Sequence, residues 1–136
     1  MNLQDTVSIV TGSSSGVGAA TARMLVQKGS RVVINFSRSV DAAQKVAEEC
    51  ESLGGEVMLC QADVSLDADC RRMVDVAMTK WGRLDVLVNN AGTTKFVQHP
   101  DLDGLTGEDF QHIYGVNVVG PFQMVRAASD ALKASG

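Results

Sequence analysis

No block of basic residues, no apolar stretch of membrane-spanning length and no Cys-x-x-Cys pair occurs in this sequence. The missing basic block, with a net charge of −4, argues against nucleic acid or an anionic membrane surface as partner. The missing apolar run argues against a membrane span. The start, Met1-Asn2-Leu3-Gln4-Asp5, lacks the basic and apolar regions of a secretory leader. Cysteine is scarce: Cys50, Cys60 and Cys70 stand ten residues apart and are odd in number, which suits neither a disulfide framework nor a zinc site. Three reduced, mostly packed thiols in a cytoplasmic protein are expected. His99 and His112 have no ligand partners nearby in sequence, so no metal is expected. No Gly-Lys-Ser/Thr ending follows the glycine-rich stretch, which argues against a triphosphate P-loop. No linker, low-complexity segment or sequence repeat is visible.

What remains is a globular composition, 45% hydrophobic and 21% charged over 136 residues, a length that suits one domain. The organising stretch is Val7-Ser8-Ile9-Val10-Thr11-Gly12-Ser13-Ser14-Ser15-Gly16-Val17-Gly18. A β-branched run leads into a glycine-rich turn, and a helical pattern follows from Val17 to about Lys28. Helix N-termini carry unpaired N–H groups and partial positive charge, so they attract phosphate. Gly12 would allow the turn, Gly16 the approach of a pyrophosphate, and Gly18 close packing of helix on strand. The plainer alternative is a serine–glycine loop.

Strand and helix then alternate. The first helix carries Val17, Ala20, Met24 and Leu25 on one side and stops at Gly29. Arg31–Phe36 reads as a buried strand. Ser39 can cap a second helix with Ala43, Val46, Cys50 and Leu53 at helical spacing, ended by Gly54-Gly55. Val57–Cys60 is a third strand, closed by Ala62-Asp63-Val64. Ser65 starts a third helix, with Val74, Ala77, Met78 and Trp81 inward and Gly82 after it. Leu84–Val88 is a fourth strand running into Asn89-Asn90-Ala91-Gly92. Residues 93–105 form a loop of the kind that lines a ligand crevice. Thr106 and Asp109 have capping-box spacing, and a helix runs from about Glu108 to Lys133. Pro121 within it should bend or divide it. The alternation predicts a parallel sheet with right-handed crossovers.

The second strand ends in Asn35-Phe36-Ser37-Arg38-Ser39, with no acid to accept a ribose 2′-hydroxyl. Arg38 can pair with a 2′-phosphate, and Ser37 and Ser39 can donate to it, so NADP(H) is preferred over NAD(H). The alternative for Arg38 is a solvated surface cation.

With these motifs in place, the chain resembles the short-chain dehydrogenase/reductase family. The matching residues are Thr11-Gly12-x-x-x-Gly16-x-Gly18, Asp63-Val64, Asn89-Asn90-Ala91-Gly92 and Val116-Asn117-Val118-x-Gly120. The nearest look is to 3-oxoacyl-carrier-protein reductases, which extends the expected carbonyl substrate to a 3-oxoacyl thioester. The resemblance implies a Rossmann-like, doubly wound α/β fold with strand order 3-2-1-4, incomplete at its C-terminal side. Residues 1–136 would be one dinucleotide-binding domain lacking its C-terminal part.

By the same resemblance, Gly12, Gly16 and Val17 line the pyrophosphate, and Ser14 and Ser15 donate to it. Asp63 bonds the adenine amino group and Val64 contacts the ring through its backbone. Asn90, Ala91 and Gly92 lie along the ribose. Turn-forming roles for Asp63 and for Asn89-Asn90 stand beside these. Of the family's catalytic four only Asn117 matches, holding a water in a proton relay; its plainer role is to bond a carbonyl freed near Pro121. The only tyrosine, Tyr114, has Val118 four residues on, so the family's Tyr-x-x-x-Lys pair and catalytic serine are absent, and Tyr114 is expected in packing or in the crevice. The implied activity is reduction of a small carbonyl substrate to an alcohol with NADP(H), in a homotetramer or dimer. Phe122, Val125 and Leu132 on the long helix could serve a core or that interface. The alternative is a non-catalytic fragment that binds a dinucleotide or a partner chain.

Overall fold

The computed structural model describes residues 2–136. The chain runs β1 (Val7–Val10), α1 (Gly16–Gln27), β2 (Arg31–Phe36), α2 (Val40–Ser52), β3 (Val57–Gln61), α3 (Asp67–Trp81), β4 (Val86–Val88), α4 (Gly107–Tyr114) and α5 (Gly120–Ser135). A 3₁₀ turn spans Leu102–Gly104, and a π-helical turn, Gly115–Val119, joins α4 to α5. The four strands form one sheet in the order β3-β2-β1-β4, with every pair parallel. This is the expected Rossmann-like α/β arrangement.

Two apolar clusters sandwich the sheet. One joins Val10, Val32 and Ile34 to Ala19, Ala22 and Val26 of α1 and to Ala43, Val46 and Cys50 of α2. The other joins Val7, Ile9 and Val33 to Met73, Val74 and Ala77 of α3 and to Met124 and Ala128 of α5. The central strands are buried on both faces, which is why they read as unbroken apolar runs.

Some expectations shift by a turn or less. The buried face of α1 is Gly18, Ala19, Ala22, Leu25 and Val26, whereas Val17 and Met24 are 75% and 59% exposed and Ala20 also faces water. The helix lies close to the sheet, and small residues permit that approach where Met24 would not. Ser65 does not start α3. Its hydroxyl and N–H both bond Asp63, and the helix begins at Asp67. Leu84 and Asp85 precede β4: Leu84 is fully buried, and Asp85 bonds the Val7 N–H with its carboxylate at 2.8 Å. Pro121 divides the long helix, as its missing N–H requires. The turn before it widens, and the Gly120 N–H reaches back to the Gly115 carbonyl. Leu132 packs against the core, while Phe122 and Val125 are exposed.

Candidate functional site

The carboxyl ends of all four strands open on one edge of the sheet. There β1 runs into Thr11-Gly12-Ser13, β2 into Ser37-Arg38-Ser39, β3 into Ala62-Asp63-Val64, and β4 into Asn89-Asn90-Ala91-Gly92. Strand β1 has β2 on one side and β4 on the other. Ligands of doubly wound sheets sit where the winding reverses in this way.

The turn after β1 is fixed by buried polar groups. Gly12 has φ +63°, and a Cβ there would lie 2.8 Å from the Ala91 Cα. Its N–H donates to Asn35 Oδ1 at 2.8 Å. Ser13 Oγ donates to the Val10 carbonyl at 2.7 Å and accepts from the Asn35 N–H at 2.9 Å. Thr11 Oγ1 accepts from the N–H groups of Asn90 and Ala91, both at 2.9 Å. Asn90 Nδ2 in turn donates to the carbonyls of Thr11 and Gly12 at 2.9 and 3.0 Å. Gly18 is pressed onto this knot rather than onto the strand proper: a Cβ there would stand 2.5 Å from the Gly12 carbonyl oxygen and overlap the Asn90 amide. Thr11, Ser13 and Asn35 carry this geometry, and none of the three has a role assigned from sequence. Asn35 leaves one readable signal, a carboxamide inside the apolar run Val32-Val33-Ile34-Asn35-Phe36.

The front of α1 is open by contrast. Ser15 is exposed and its side chain caps nothing, Ser14 is half-buried, and a Cβ on Gly16 would meet nothing within 4 Å. Uncapped N–H groups facing clear space are the arrangement an anion such as pyrophosphate fits.

At the end of β2, the Ser37 carbonyl accepts from Gln61 Nε2 at 3.1 Å. Ser39 caps α2 as expected, accepting from the Ala42 N–H at 3.4 Å. Arg38 is exposed and takes no part in the ion pairs of the described residues.

Beside it, an open crevice is lined by Ser37, Gln61, Asp63, Asp69 and Arg72. Asp63 Oδ1 accepts from the Ser65 N–H and hydroxyl at 2.9 and 2.7 Å. The turn role is therefore real, and it occupies one of the two carboxylate oxygens. Asp69 and Arg72 belong to the crevice although no sequence motif marks them. Asp69 Oδ2 accepts from the Asp63 N–H at 2.8 Å, and Arg72 Nη2 bridges Asp69 Oδ1 and the Gln61 carbonyl at 2.9 and 2.8 Å. The Asp63 N–H first and the Arg72 guanidinium second hold the Asp69 carboxyl below the ordinary carboxylate range. Val64 is buried, and its carbonyl accepts from Gln123 Nε2 at 2.9 Å.

Beyond β4, Asn117 pairs with one backbone unit. Its Oδ1 accepts from the Thr93 N–H at 2.8 Å and its Nδ2 donates to the Thr93 carbonyl at 2.9 Å. This corrects the expectation that it bonds a carbonyl freed near Pro121. Gly92 lies against it, 3.5 Å from Asn117 Oδ1 to the position of a Cβ. Tyr114 is 60% exposed, so its expected packing role is not observed. Thr106 and Asp109 form the expected capping box, and Lys95 Nζ donates to Asp109 Oδ2 at 2.7 Å. That bond, with the Thr106 N–H, lowers the Asp109 pKa. No group of metal-ligating side chains comes together among the described residues, and none of their helices is long and apolar enough to cross a membrane.

The profile of the short chain dehydrogenase family matches residues 6–136. A Streptomyces violaceoruber protein described as a ketoacyl reductase of granaticin polyketide synthesis is 46% identical over 130 residues, covering 96% of this chain and 51% of that protein. A crystal structure from Burkholderia xenovorans, described as a short-chain dehydrogenase/reductase, superposes with a TM-score of 0.91 at 41% identity, covering 96% of this chain and 54% of that one. A short chain dehydrogenase from Burkholderia cenocepacia, solved in complex with NADP, gives 0.89 at 36% identity, covering 97% and 53%. The chain thus spans about half the length of the curated relatives it matches.

Proposed function

This chain belongs to the short-chain dehydrogenase family, and on that premise we propose that residues 1–136 form the dinucleotide-binding domain of an NADP(H)-dependent carbonyl reductase. The observation that carries the reading is that the uncapped front of α1, the exposed Arg38 and the half-engaged Asp63 all stand at the carboxyl edge of one parallel sheet, with Asp63 in the crevice. When bound, the cofactor supplies the hydride. Gly12, Gly16, Val17 and Gly18 shape the turn that takes its pyrophosphate, with Ser14 and Ser15 as donors. Ser37, Arg38 and Ser39 receive the 2′-phosphate. Asp63 offers its second oxygen to the adenine amino group, and Val64 its backbone N–H. Asn90, Ala91 and Gly92 border the ribose.

Asn117 is the residue of this chain assigned to proton handling. A carboxamide has two N–H donors and two lone pairs, and Thr93 takes one of each, so Asn117 can still hold a water. The tyrosine–lysine pair that completes such a reductase is not within these 136 residues. The likeness to a protein described as a ketoacyl reductase supports a 3-oxoacyl thioester as the carbonyl substrate, and a homo-oligomer, tetramer or dimer, is the assembly proposed.

The test compares NADPH and NADH binding before and after Arg38→Asp. Charge-assisted hydrogen bonds contribute about 1.5–3 kcal/mol, so NADPH affinity should fall about tenfold to a hundredfold while NADH affinity changes little. Equal losses for both would remove the 2′-phosphate assignment.

A further inference from the structure

We propose that Asn35 is a positioning residue that couples the two ends of the dinucleotide site, the phosphate turn and the adenosine rim; the inference rests on the cofactor reading above. Asn35 is 2% exposed and lies behind both loops rather than in the crevice. Its Oδ1 accepts from the Gly12 N–H at 2.8 Å. Its Nδ2 faces the other way and donates to the carbonyls of Cys60 and Ala62 at 3.2 and 3.1 Å. Gly12 opens the turn that leads to Gly16, and Ala62 immediately precedes Asp63. One planar group therefore spans from the end of β1, across β2, to the end of β3. The backbone of Asn35 adds a second tie on the turn side only, since its N–H and carbonyl pair with Ser13 Oγ and the Ser13 N–H, both at 2.9 Å.

The chemistry at this position is restrictive. A carboxamide presents an acceptor and two donors on a short stem. Aspartate could serve Gly12 but would face two carbonyls with a negative charge. Leucine would suit the strand as Ile34 and Phe36 do, but would leave the Gly12 N–H and the Ala62 carbonyl unpaired. Hydrogen bonds in a dry, low-dielectric setting are stiff, so a displacement of one loop is passed to the other. Energetic coupling of this kind is reciprocal.

Two probes separate the ends in the protein at its natural length: inorganic pyrophosphate for the turn and adenosine 2′-phosphate for the rim. In the wild type both should bind, and the Asn35 side-chain amide resonance should move on adding either one alone. Asn35→Leu should weaken both probes about tenfold, the scale of one lost neutral hydrogen bond. Ser13→Ala, which leaves both side-chain bonds of Asn35 in place, should weaken pyrophosphate more than adenosine 2′-phosphate, and Arg38→Asp should weaken adenosine 2′-phosphate more than pyrophosphate. A lower unfolding temperature in Asn35→Leu with either probe unaffected overturns the coupling and leaves Asn35 a fold-stabilising residue. Should that variant not fold, Asn35→Ser reads the same two affinities. The wild-type resonance test needs no variant, and a signal that answers one probe only overturns the inference. A wild type that binds neither probe nor NADPH removes the cofactor reading and the coupling with it. Intact binding with unaltered affinities in the Asn35 variants removes the coupling alone.

Discussion

The turn from β1 into α1 is fastened by side chains that water does not reach, whereas the segment from Thr93 into α4 is fastened by side chains that water reaches. Thr11, Ser13 and Asn35 are 1%, 0% and 2% exposed. In the second segment α4 contributes no buried residue, and the Lys95–Asp109 pair is 47% and 23% exposed at its two side chains. Buried hydrogen bonds hold one geometry because the alternative is an unpaired group in a dry setting. Exposed ion pairs exchange with water at little cost. The first turn is therefore set before any ligand arrives, and the second segment can adjust.

The sharpest way to break this contrast is Gly18→Ala, which forces a methyl into the Gly12 carbonyl and the Asn90 amide. Overpacking of this kind should cost about 3 kcal/mol in urea unfolding. Gly16→Ala, with open space around it, should cost only the left-handed backbone strain, about 1 kcal/mol. Equal costs would mean that the knot is not packed as described. Next, Thr11→Val keeps the shape and removes the acceptor of two N–H groups. It should cost about 2 kcal/mol, with faster hydrogen exchange at Asn90 and Ala91.

In the exposed segment, Asp109→Ala should lower stability only slightly. Its signature should be faster exchange across residues 95–106, with the unfolding midpoint nearly unmoved. Acid should imitate that variant. Because the folded Asp109 pKa lies below its ordinary 3.8, its contribution is complete above that value and is lost as pH falls through the lower one. The Thr106 amide resonance should therefore stay constant from neutral pH to about 5 and shift only in stronger acid. The smallest expected change is none at all. Burial pushes the Cys70 thiol up to about 11 and also raises Cys50 and Cys60. All three should ignore a thiol reagent at neutral pH until urea unfolds the chain.

The alternation of elements is legible in the sequence because buried parallel strands leave apolar runs and their helices end at glycines, whereas the strand order follows from the family resemblance. The face of α1 is misread when apolar content is the guide, since close approach to the sheet selects Gly18, Ala19 and Ala22 over Met24. Start signals are ambiguous at Ser65, which serves the Asp63 turn instead of the helix. The role of Asn35 is hidden because its partners Ser13 and Ala62 lie 22 and 27 residues away. No local pattern reports such a contact; only the polar break in an apolar strand hints at it. The missing acid at the end of the same strand is readable, since it is a feature of residues adjacent in sequence.

The widened turn at Gly115–Val119 also acts as a phase shifter. By taking up an extra residue it rotates α5 relative to α4. Upstream, α4 sends nothing inward; downstream, Gly120, Gln123, Met124 and Ala128 all do. An α-helix advances roughly 100° per residue, so deleting one residue from this turn would swing that whole face away from Val64 and the sheet. The length of five residues around Asn117 thus sets the rotational timing by which a loop-facing helix becomes a core-facing one.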